Sequence, residues 1–303
     1  MSALASQSGI NPNYVLSGKI AREVKSEVEG RDWRNKLYSE LADFVEGQIQ
    51  KKGGSPAFPT NICANESAAH YTPEIDDQKT VSTDSLLKVD IGVHVNGFVA
   101  DTAVTLCYND GLLDMTEAAK NALGEALKAV RLDGRISDVG RVVENYASRR
   151  GYIPISNLSG HSMEQYEVHA GISVPNVISS SQSAFRTDKV YAIEPFLTQL
   201  DANGSVIEGS TENIFGITAR KRLKDKKLND FLDLIWNHNK TLPFAARWFS
   251  EFYKKDELES MLLQLKKSHL IHSYPELIEA TGRPVAQAEH TISVSATGVN
   301  VIT

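Results

Sequence analysis

The 303-residue chain has few cysteines, no strong charge of either sign and no long apolar run. Its two cysteines, Cys63 and Cys107, are too few for a disulfide framework, which favours a reducing cytoplasmic environment. The formal net charge of −6 excludes the basic field expected of a nucleic-acid-binding protein. No stretch reaches the roughly 18 consecutive apolar residues that a membrane helix requires. We therefore expect a cytoplasmic protein that binds neither nucleic acid nor a membrane.

Hydrophobic residues make up 41% of the chain, enough for the core of one large domain or two modest ones. Apolar spacing predicts helices over residues 14–28, 32–50, 115–130 and 137–151, and a helical block over 228–270. Alternating or short apolar runs predict strands over 86–107, 173–178, 190–196 and 288–294. Because helices and strands mix without a strict βαβ rhythm, the pattern indicates an α+β fold.

The clearest local signal is the pair Asn96-Gly97 between two β-like runs. Such a pair favours a two-residue type I′ turn, because both of its positions need positive φ. That turn places Asp101 opposite Gly92, and it puts Asp90 on the same face of the hairpin as Asp101. The two aspartates are then diagonal neighbours, about 7–8 Å apart at the backbone.

Two carboxylates on an otherwise apolar hairpin resist burial unless a cation compensates them. Asp90 and Asp101 therefore form a candidate metal site. The alternative is a face that meets solvent, on which they are ordinary surface charges. The hairpin alone leaves both interpretations open. His94 falls on the same face, and we interpret it as structural.

Two glutamates, Glu194 and Glu289, also lie within apolar runs, where a carboxylate is unfavourable unless it is paired or ligated. A buried ion pair is the competing interpretation. His161 lies in a predicted loop, and a lone histidine is more often structural than a ligand. Together with Asp90 and Asp101, these residues offer oxygen and nitrogen ligands that suit a pair of divalent metals rather than one tetrahedral zinc.

The order of these five residues along the chain resembles the ligand order of the pita-bread metallopeptidases. Five segments are similar to the motifs of that family: residues 89–92, 100–103, 160–162, 192–196 and 287–291. Residues 58–61 and 68–73 resemble the substrate side of methionine aminopeptidases, and the helical block resembles the insertion of their type II. No long charged N-terminal extension precedes these motifs, so the chain is similar to the short, archaeal-like form.

The resemblance implies a pita-bread fold with a helical insertion subdomain. It divides the chain into a catalytic domain, residues 1–214 and 275–303, and an insertion, residues 215–274. We expect the protein to be a monomer.

The same resemblance implies a role for each ligand. Asp90 would hold one metal, His161 and Glu194 the other, and Asp101 and Glu289 would bridge both. The ions would be two of Co²⁺, Mn²⁺, Fe²⁺, Zn²⁺ or Ni²⁺. A bridging hydroxide would attack the carbonyl after the first residue of the substrate, with Glu194 carrying the proton.

Two further histidines, His70 and His169, match the non-ligand histidines of the family, which hydrogen-bond the scissile amide and the developing oxyanion. The resemblance also implies that fumagillin-type epoxides alkylate His70. The expected methionine pocket consists of Phe58, Val168, Tyr274 and Leu277. For Val168 and Leu277, ordinary core packing is an equal alternative, since a core and a pocket both bury apolar surface.

The implied function is removal of the N-terminal methionine from nascent proteins whose second residue is small. Nascent N-termini are the expected partners, and the family role adds the ribosome exit as a place of action. One alternative is a prolidase or aminopeptidase P, although too few residues precede the first motif for their usual N-terminal domain. Another is a catalytically inactive binding protein, although this chain keeps all five ligands. Ala288 departs from the family, because relatives usually carry an aromatic residue there.

Overall fold

The structure is a computed structural model that describes residues 10–187 and 189–303. Its helices are α1 (Pro12–Glu29), α2 (Tyr38–Lys51), α3 (Leu113–Ala129), α4 (Ser137–Arg149), α5 (Lys226–Asn239) and α6 (Lys255–Lys267). The second begins at Tyr38 rather than at Asp32, because Asn35 has a φ of 64°, outside the helical region. Within the described ranges, no helix combines the length and the apolarity needed to cross a membrane.

The strands are short and pair antiparallel throughout the described residues. They are β1 (Ser55–Pro56), β2 (Asn61–Ala64), β3 (Ser67–Ala69), β4 (Leu86–Val95), β5 (Phe98–Cys107), β6 (Tyr152–Pro154), β7 (Ser159–Met163), β8 (Ser173–Pro175), β9 (Val190–Ile193), β10 (Phe196–Gln199), β11 (Val206–Glu208), β12 (Ile214–Ile217), β13 (Phe244–Ala245), β14 (Ile271–Tyr274), β15 (Leu277–Glu279), β16 (Val285–Gln287), β17 (His290–Ser295) and β18 (Gly298–Val301). Mixed helices and antiparallel sheets confirm the α+β prediction.

Strands β4 and β5 form the predicted hairpin in the predicted register, with Gly92 opposite Asp101. Asn96 and Gly97 have φ values of 54° and 84°, as a type I′ turn requires. His94 has the structural role we expected, because its Nδ1 accepts the Gly97 N–H at 3.1 Å. The side chain beside the turn thus stabilises the register that brings the two aspartates to one face.

The predicted strands around the two glutamates are each interrupted. Glu194 and Pro195 separate β9 from β10, and Ala288 and Glu289 separate β16 from β17. Strands β9 and β17 belong to a five-stranded sheet, whereas β10 and β16 belong to a three-stranded one. The prediction of continuous strands was wrong, because the chain passes from one sheet to the other at these points and Pro195 has no N–H for a ladder.

Two apolar clusters hold these layers together. One packs α1 and α2 on the hairpin and includes Leu41 and Ile91. The other packs α3 and α4 on the interrupted strands and includes Ala118, Val139 and Tyr191. The hairpin and the interrupted strands are therefore each supported from behind by a pair of helices.

The predicted helical block is two helices, α5 and α6, with β13 and a short 3₁₀ helix, Ala246–Phe249, between them. This region has an apolar cluster of its own, which includes Phe231, Phe249 and Leu265. The chain enters and leaves it through β12 and β14, which pair with each other. It lies against the rest of the molecule beside the cavity described below.

Candidate metal centre and substrate cavity

The hairpin presents Asp90 from β4 and Asp101 from β5 to the same cavity. Asp101 is 3% exposed, so the alternative of a solvated face is wrong for this residue. Its backbone N–H donates to the Thr291 hydroxyl at 2.7 Å. The Thr102 hydroxyl donates to the carbonyl of Glu289 at 2.8 Å. These bonds fix the hairpin against the segment that carries the last glutamate.

His161 lies in β7, not in the predicted loop, and it pairs with Ala192 of β9. The strand approaches β9 closely, since a Cβ at Gly160 would come within 2.3 Å of the Ala192 carbonyl oxygen. From this position, His161 Nε2 lies 3.6 Å from Asp101 Oδ2 and 3.6 Å from Glu194 Oε1. The imidazole therefore faces one carboxylate from the hairpin and one from the interrupted strands.

The predicted ligands come together from distant parts of the chain. One potential ligand atom each from Asp101, His161 and Glu289 lies within 4.8 Å of the other two. Glu194 joins the group through its contact with His161, and Gln287 Nε2 donates to Glu194 Oε2 at 3.3 Å. All five predicted ligands thus lie in one cluster or on the cavity that it borders.

Burial dominates the electrostatics of this cluster. It raises the pKa of Asp90 to about 7. It also raises the pKa of Asp101, Glu194 and Glu289 well above the usual range, with repulsion between the carboxylates adding to the effect. Burial lowers the pKa of His161 to about 3, so the ring is neutral at pH 7, the form that can bind a metal.

The donor set fits a divalent metal. Within the described part of the chain, Asp90 Oδ1, Asp101 Oδ1 and Glu289 Oε2 are buried without a hydrogen-bond partner. Leaving buried oxygens unpaired is unfavourable, and a bound cation would satisfy them. A set of carboxylates with one imidazole is suited to several divalent ions rather than to a thiolate-preferring metal.

The cluster borders a cavity of about 300 Å³. The other residues that line it are Phe58, Asn61, Ala69, His70, Asn157, Leu158, Ser159, Val168, His169, Gly171, Ile172, Ser173, Phe196, Ile214, Pro243 and Tyr274. Four of the predicted ligands and five of the six predicted substrate-binding residues therefore line it.

Leu277, the sixth predicted substrate-binding residue, is not among the described residues that line the cavity. It pairs with Ala69 across β3 and β15 and packs on an apolar cluster that includes Phe196. These contacts favour core packing for Leu277, and the pocket interpretation stays a prediction. Val168 is 7% exposed and also lines the cavity, so it is part of the core and of the cavity wall.

The two predicted non-ligand histidines lie beside the cluster. The ring of His169 is 4.3 Å from that of His161, and the ring of His70 is 5.8 Å from that of Tyr274. Burial lowers the pKa of both histidines, that of His70 to about 4. His70 also has a φ of 66°, a conformation uncommon for residues other than glycine. Both rings are therefore neutral near pH 7 and able to donate one hydrogen bond.

The structure adds cavity residues that the sequence analysis missed. Asn61 pairs with Asp90 across β2 and β4 and belongs to a quoted motif, so its position could have been found. Ile214 directly precedes the helical region, and Pro243 lies between its two helices, just before β13. Nothing in their local sequence separates them from ordinary turn or strand residues.

The part of the cavity wall beside Asp101 depends on a glycine. Gly92 lies opposite Asp101 in the hairpin, and the ring of Phe58 lies across it. A Cβ at position 92 would come within 2.3 Å of that ring. A side chain at position 92 would therefore displace the ring of Phe58, which lines the cavity.

Residues 16–219 match metallopeptidase family M24. The chain belongs to metallopeptidase family M24. The methionine aminopeptidase of Thermococcus kodakarensis is 41% identical over 290 residues, which cover 95% of this chain and 98% of that protein. Near-complete coverage of an archaeal relative confirms the predicted short form of this M24 chain.

Solved structures show the same fold. A thermophilic Arx1 matches with a TM-score of 0.81 and 12% identity, covering 96% of this chain and 89% of that one. The methionine aminopeptidase of Thermotoga maritima matches with a TM-score of 0.70 and 17% identity, covering 96% and 95%. The predicted pita-bread fold of the M24 family is therefore confirmed.

Proposed function

We propose that this M24 metallopeptidase removes the N-terminal methionine from polypeptides whose second residue is small. The observation that carries the proposal is a buried group of carboxylates and His161 that borders a largely apolar cavity of about 300 Å³. A cavity of that size suits one side chain rather than a folded substrate. The near-complete match to an archaeal methionine aminopeptidase supports the same substrate.

The centre would hold two divalent ions. Asp90 would bind one, His161 and Glu194 the other, and Asp101 and Glu289 would lie between them. The unpaired carboxylate oxygens and the neutral imidazole support this assignment. When bound, such a pair activates water and polarises a carbonyl. The ions would be drawn from Co²⁺, Mn²⁺, Fe²⁺, Zn²⁺ and Ni²⁺, as availability decides.

The side chains around the centre would divide the remaining work. Glu194, whose pKa burial raises, would carry the proton from the attacking water to the leaving amine. His70 and His169, neutral and buried, would donate hydrogen bonds to the scissile amide and to the oxygen that gains charge. Donors placed where charge develops are the largest catalytic contribution in many enzymes.

The methionine side chain would occupy the apolar part of the cavity between Phe58, Val168 and Tyr274. Phe58 is held by its contact with Gly92, and Val168 is 7% exposed, so this wall has little room for a larger group. The second substrate residue would face the more open side of the cavity.

We also propose the division into a catalytic domain, residues 1–214 and 275–303, and an insertion, residues 215–274. The separate apolar cluster around Phe231 supports an insertion with its own core. The protein would act as a cytoplasmic monomer on nascent chains, close to the ribosome exit. Analytical ultracentrifugation of the purified chain tests whether it is a monomer in solution.

The test is metal depletion followed by restoration. The protein is dialysed against a chelator and then assayed on Met-Gly-type and Xaa-Pro peptides with each divalent ion added back. We expect metal-dependent release of methionine and no cleavage of Xaa-Pro substrates. Cleavage of Xaa-Pro alone would indicate a prolidase, and no cleavage with any ion would indicate a binding protein.

A further inference from the structure

A buried ion pair joins the helical region to the core, away from the metal ligands. Both terminal nitrogens of Arg247 donate to the carboxylate of Glu46, at 2.7 and 2.6 Å. Their side chains are 10% and 9% exposed. Arg247 lies in the 3₁₀ helix after β13, and Glu46 lies in α2. The pair therefore fixes the distance between two separate layers of the fold.

The same pair also holds both ends of one segment of the cavity wall. The backbone N–H of Thr60 donates to Glu46 Oε1 at 3.1 Å, and Arg247 donates to the Thr72 hydroxyl at 3.2 Å. The Thr72 hydroxyl in turn donates to the carbonyl of Thr60 at 2.8 Å. Trp248 Nε1 donates to Glu46 Oε2 at 2.7 Å and completes the set. Residues 60–72 are thus closed into a loop at the ion pair.

This loop carries part of the substrate cavity. Asn61, Ala69 and His70 line the cavity, and all three lie between the two tethered threonines. On the other side of the pair, β13 pairs with Ile214, which lines the cavity together with Pro243. The ion pair therefore connects two neighbouring parts of the cavity lining, since the ring of His70 is 5.8 Å from that of Tyr274, which pairs with Ile214.

Stability alone is a weak reason for such a pair. Burying two charges is unfavourable, and an apolar pair of similar volume is often equally stable. What a guanidinium–carboxylate fork adds is a fixed geometry, because two parallel hydrogen bonds permit little rotation. Exposed pairs such as Lys227–Glu257, with side chains 52% and 42% exposed, lack that constraint.

We propose that Arg247 and Glu46 are positioning residues that hold His70 and its wall at the distance from the metal centre that the reaction needs. The proposal rests on the proposed function, because it assigns the loop a role in methionine removal. Neither residue touches the cavity, so each acts through Thr60 and Thr72. A misplacement of about 1 Å at a catalytic group can lower a rate about 100-fold.

The test compares three variants of the full chain. Arg247→Lys keeps the charge without the fork, and the double variant Glu46→Gln with Arg247→Met removes both charges so that neither is left unpaired. Lys227→Met, in the exposed pair of the same region, is the matched control. Measurements are kcat and KM on a Met-Ala peptide, Mn²⁺ titration of the metal-free protein, and amide hydrogen exchange of residues 61–71.

We expect kcat to fall about 10- to 100-fold in the first two variants, because His70 is displaced. The midpoint of the Mn²⁺ titration should stay unchanged, since no predicted ligand lies in the loop. Exchange should accelerate over residues 61–71 and not over the hairpin. The control should match the native protein in all three measurements.

Two results would overturn the proposal. The first is a folded double variant or Arg247→Lys variant with native kcat, and the second is native exchange over residues 61–71 in either. If the native protein releases no methionine, the proposed function fails by itself. The exchange measurement then still decides whether the ion pair fixes the loop.

Discussion

The hairpin and the interrupted strands supply the same kind of ligand in opposite ways. The hairpin has two unbroken strands of 10 residues each, and its aspartates share a face through register alone. Glu194 and Glu289 instead lie where a strand ends and the chain moves to another sheet. The hairpin fixes its carboxylates through local structure, whereas the interrupted strands fix theirs through pairing between distant segments.

The difference shows what the breaks in the interrupted strands contribute to the metal site. In a continuous strand, successive side chains point to opposite faces of the sheet, so the sheet alone decides the direction of a glutamate side chain. At a crossing between sheets the backbone leaves that alternation, and both glutamates come to the side on which His161 lies. Unpaired backbone at a crossing is tolerated because the carbonyl of Glu289 accepts a bond from Thr102 and that of Glu194 one from Asn176.

The largest expected effect tests whether the two regions form one centre. Asp101→Asn in the hairpin and Glu289→Gln in the interrupted strands should each lower kcat/KM at least about a thousandfold, the equivalent of losing several kcal/mol of charge stabilisation. Both should also weaken Mn²⁺ binding, measured by calorimetry on the metal-free protein. If only one of the two substitutions has these effects, the hairpin and the interrupted strands do not form a single metal centre.

The next effect concerns a residue in neither region. His70→Ala should lower kcat about 100- to 1000-fold while leaving the Mn²⁺ titration unchanged, because the ring donates to the substrate and not to the metal. A fumagillin-type epoxide should add its mass to the native protein and not to this variant. His238→Ala, an exposed histidine on α5, is the control. Labelling that survives His70→Ala would assign the reaction to another residue.

A smaller effect tests the hairpin alone. Gly92→Ala should displace Phe58 from the hairpin, because the added Cβ would approach its ring within 2.3 Å. Overpacking of this kind destabilises by about 1–3 kcal/mol. We expect kcat/KM for methionine peptides to fall about tenfold, equivalent to about 1.4 kcal/mol.

The matched control for that substitution is Gly124→Ala on α3, where an added Cβ meets nothing within 4 Å. It should leave activity unchanged and raise the free energy of unfolding by about 0.5–1 kcal/mol, the helix preference of alanine. Denaturant unfolding and peptide assays measure both. If Gly92→Ala behaves like this control, Phe58 is not held by the hairpin.

The last effect concerns stability rather than activity, and it is the pH dependence of the metal-free protein. The folded pKa of Asp90, about 7, lies above the ordinary unfolded value of about 3.9, so the folded state binds the proton more tightly. Stability should therefore be fullest near pH 4, fall as the pH rises to about 7 and level off beyond. Melting curves in chelator from pH 4 to 8 should show this slope in the native protein and a weaker one in Asp90→Asn. Equal slopes would remove Asp90 as the cause.

The hairpin could be predicted in full because its information is local. Asn96-Gly97 selects the turn, the turn selects the register, and the register places Asp90 and Asp101 on one face. Helix positions followed from apolar spacing for the same reason. The family resemblance added the fold and the remaining ligands.

What could not be predicted depends on contacts between distant segments. The break after Ile193 arises because β9 and β10 find partners in different sheets. Leu277 is not in the cavity lining, because its strand pairs with Ala69. Ile214 is in the lining, because it lies in β12, where the chain enters the helical region. The ion pair of Arg247 with Glu46 joins residues 201 positions apart, and neither has a local signal.

The pairing of β12 with β14 has a consequence for how such chains vary in length. Phe215 lies opposite Ser273, so the two ends of the helical region are adjacent in one sheet. Lengthening a segment whose ends are already adjacent adds little closure entropy, about 0.6 kcal/mol for each doubling. Most of this region is therefore free to grow, shrink or be exchanged over evolution. The exceptions are the residues of this region that contact the rest of the site, namely Pro243 and Tyr274 in the cavity lining and Arg247 in the ion pair.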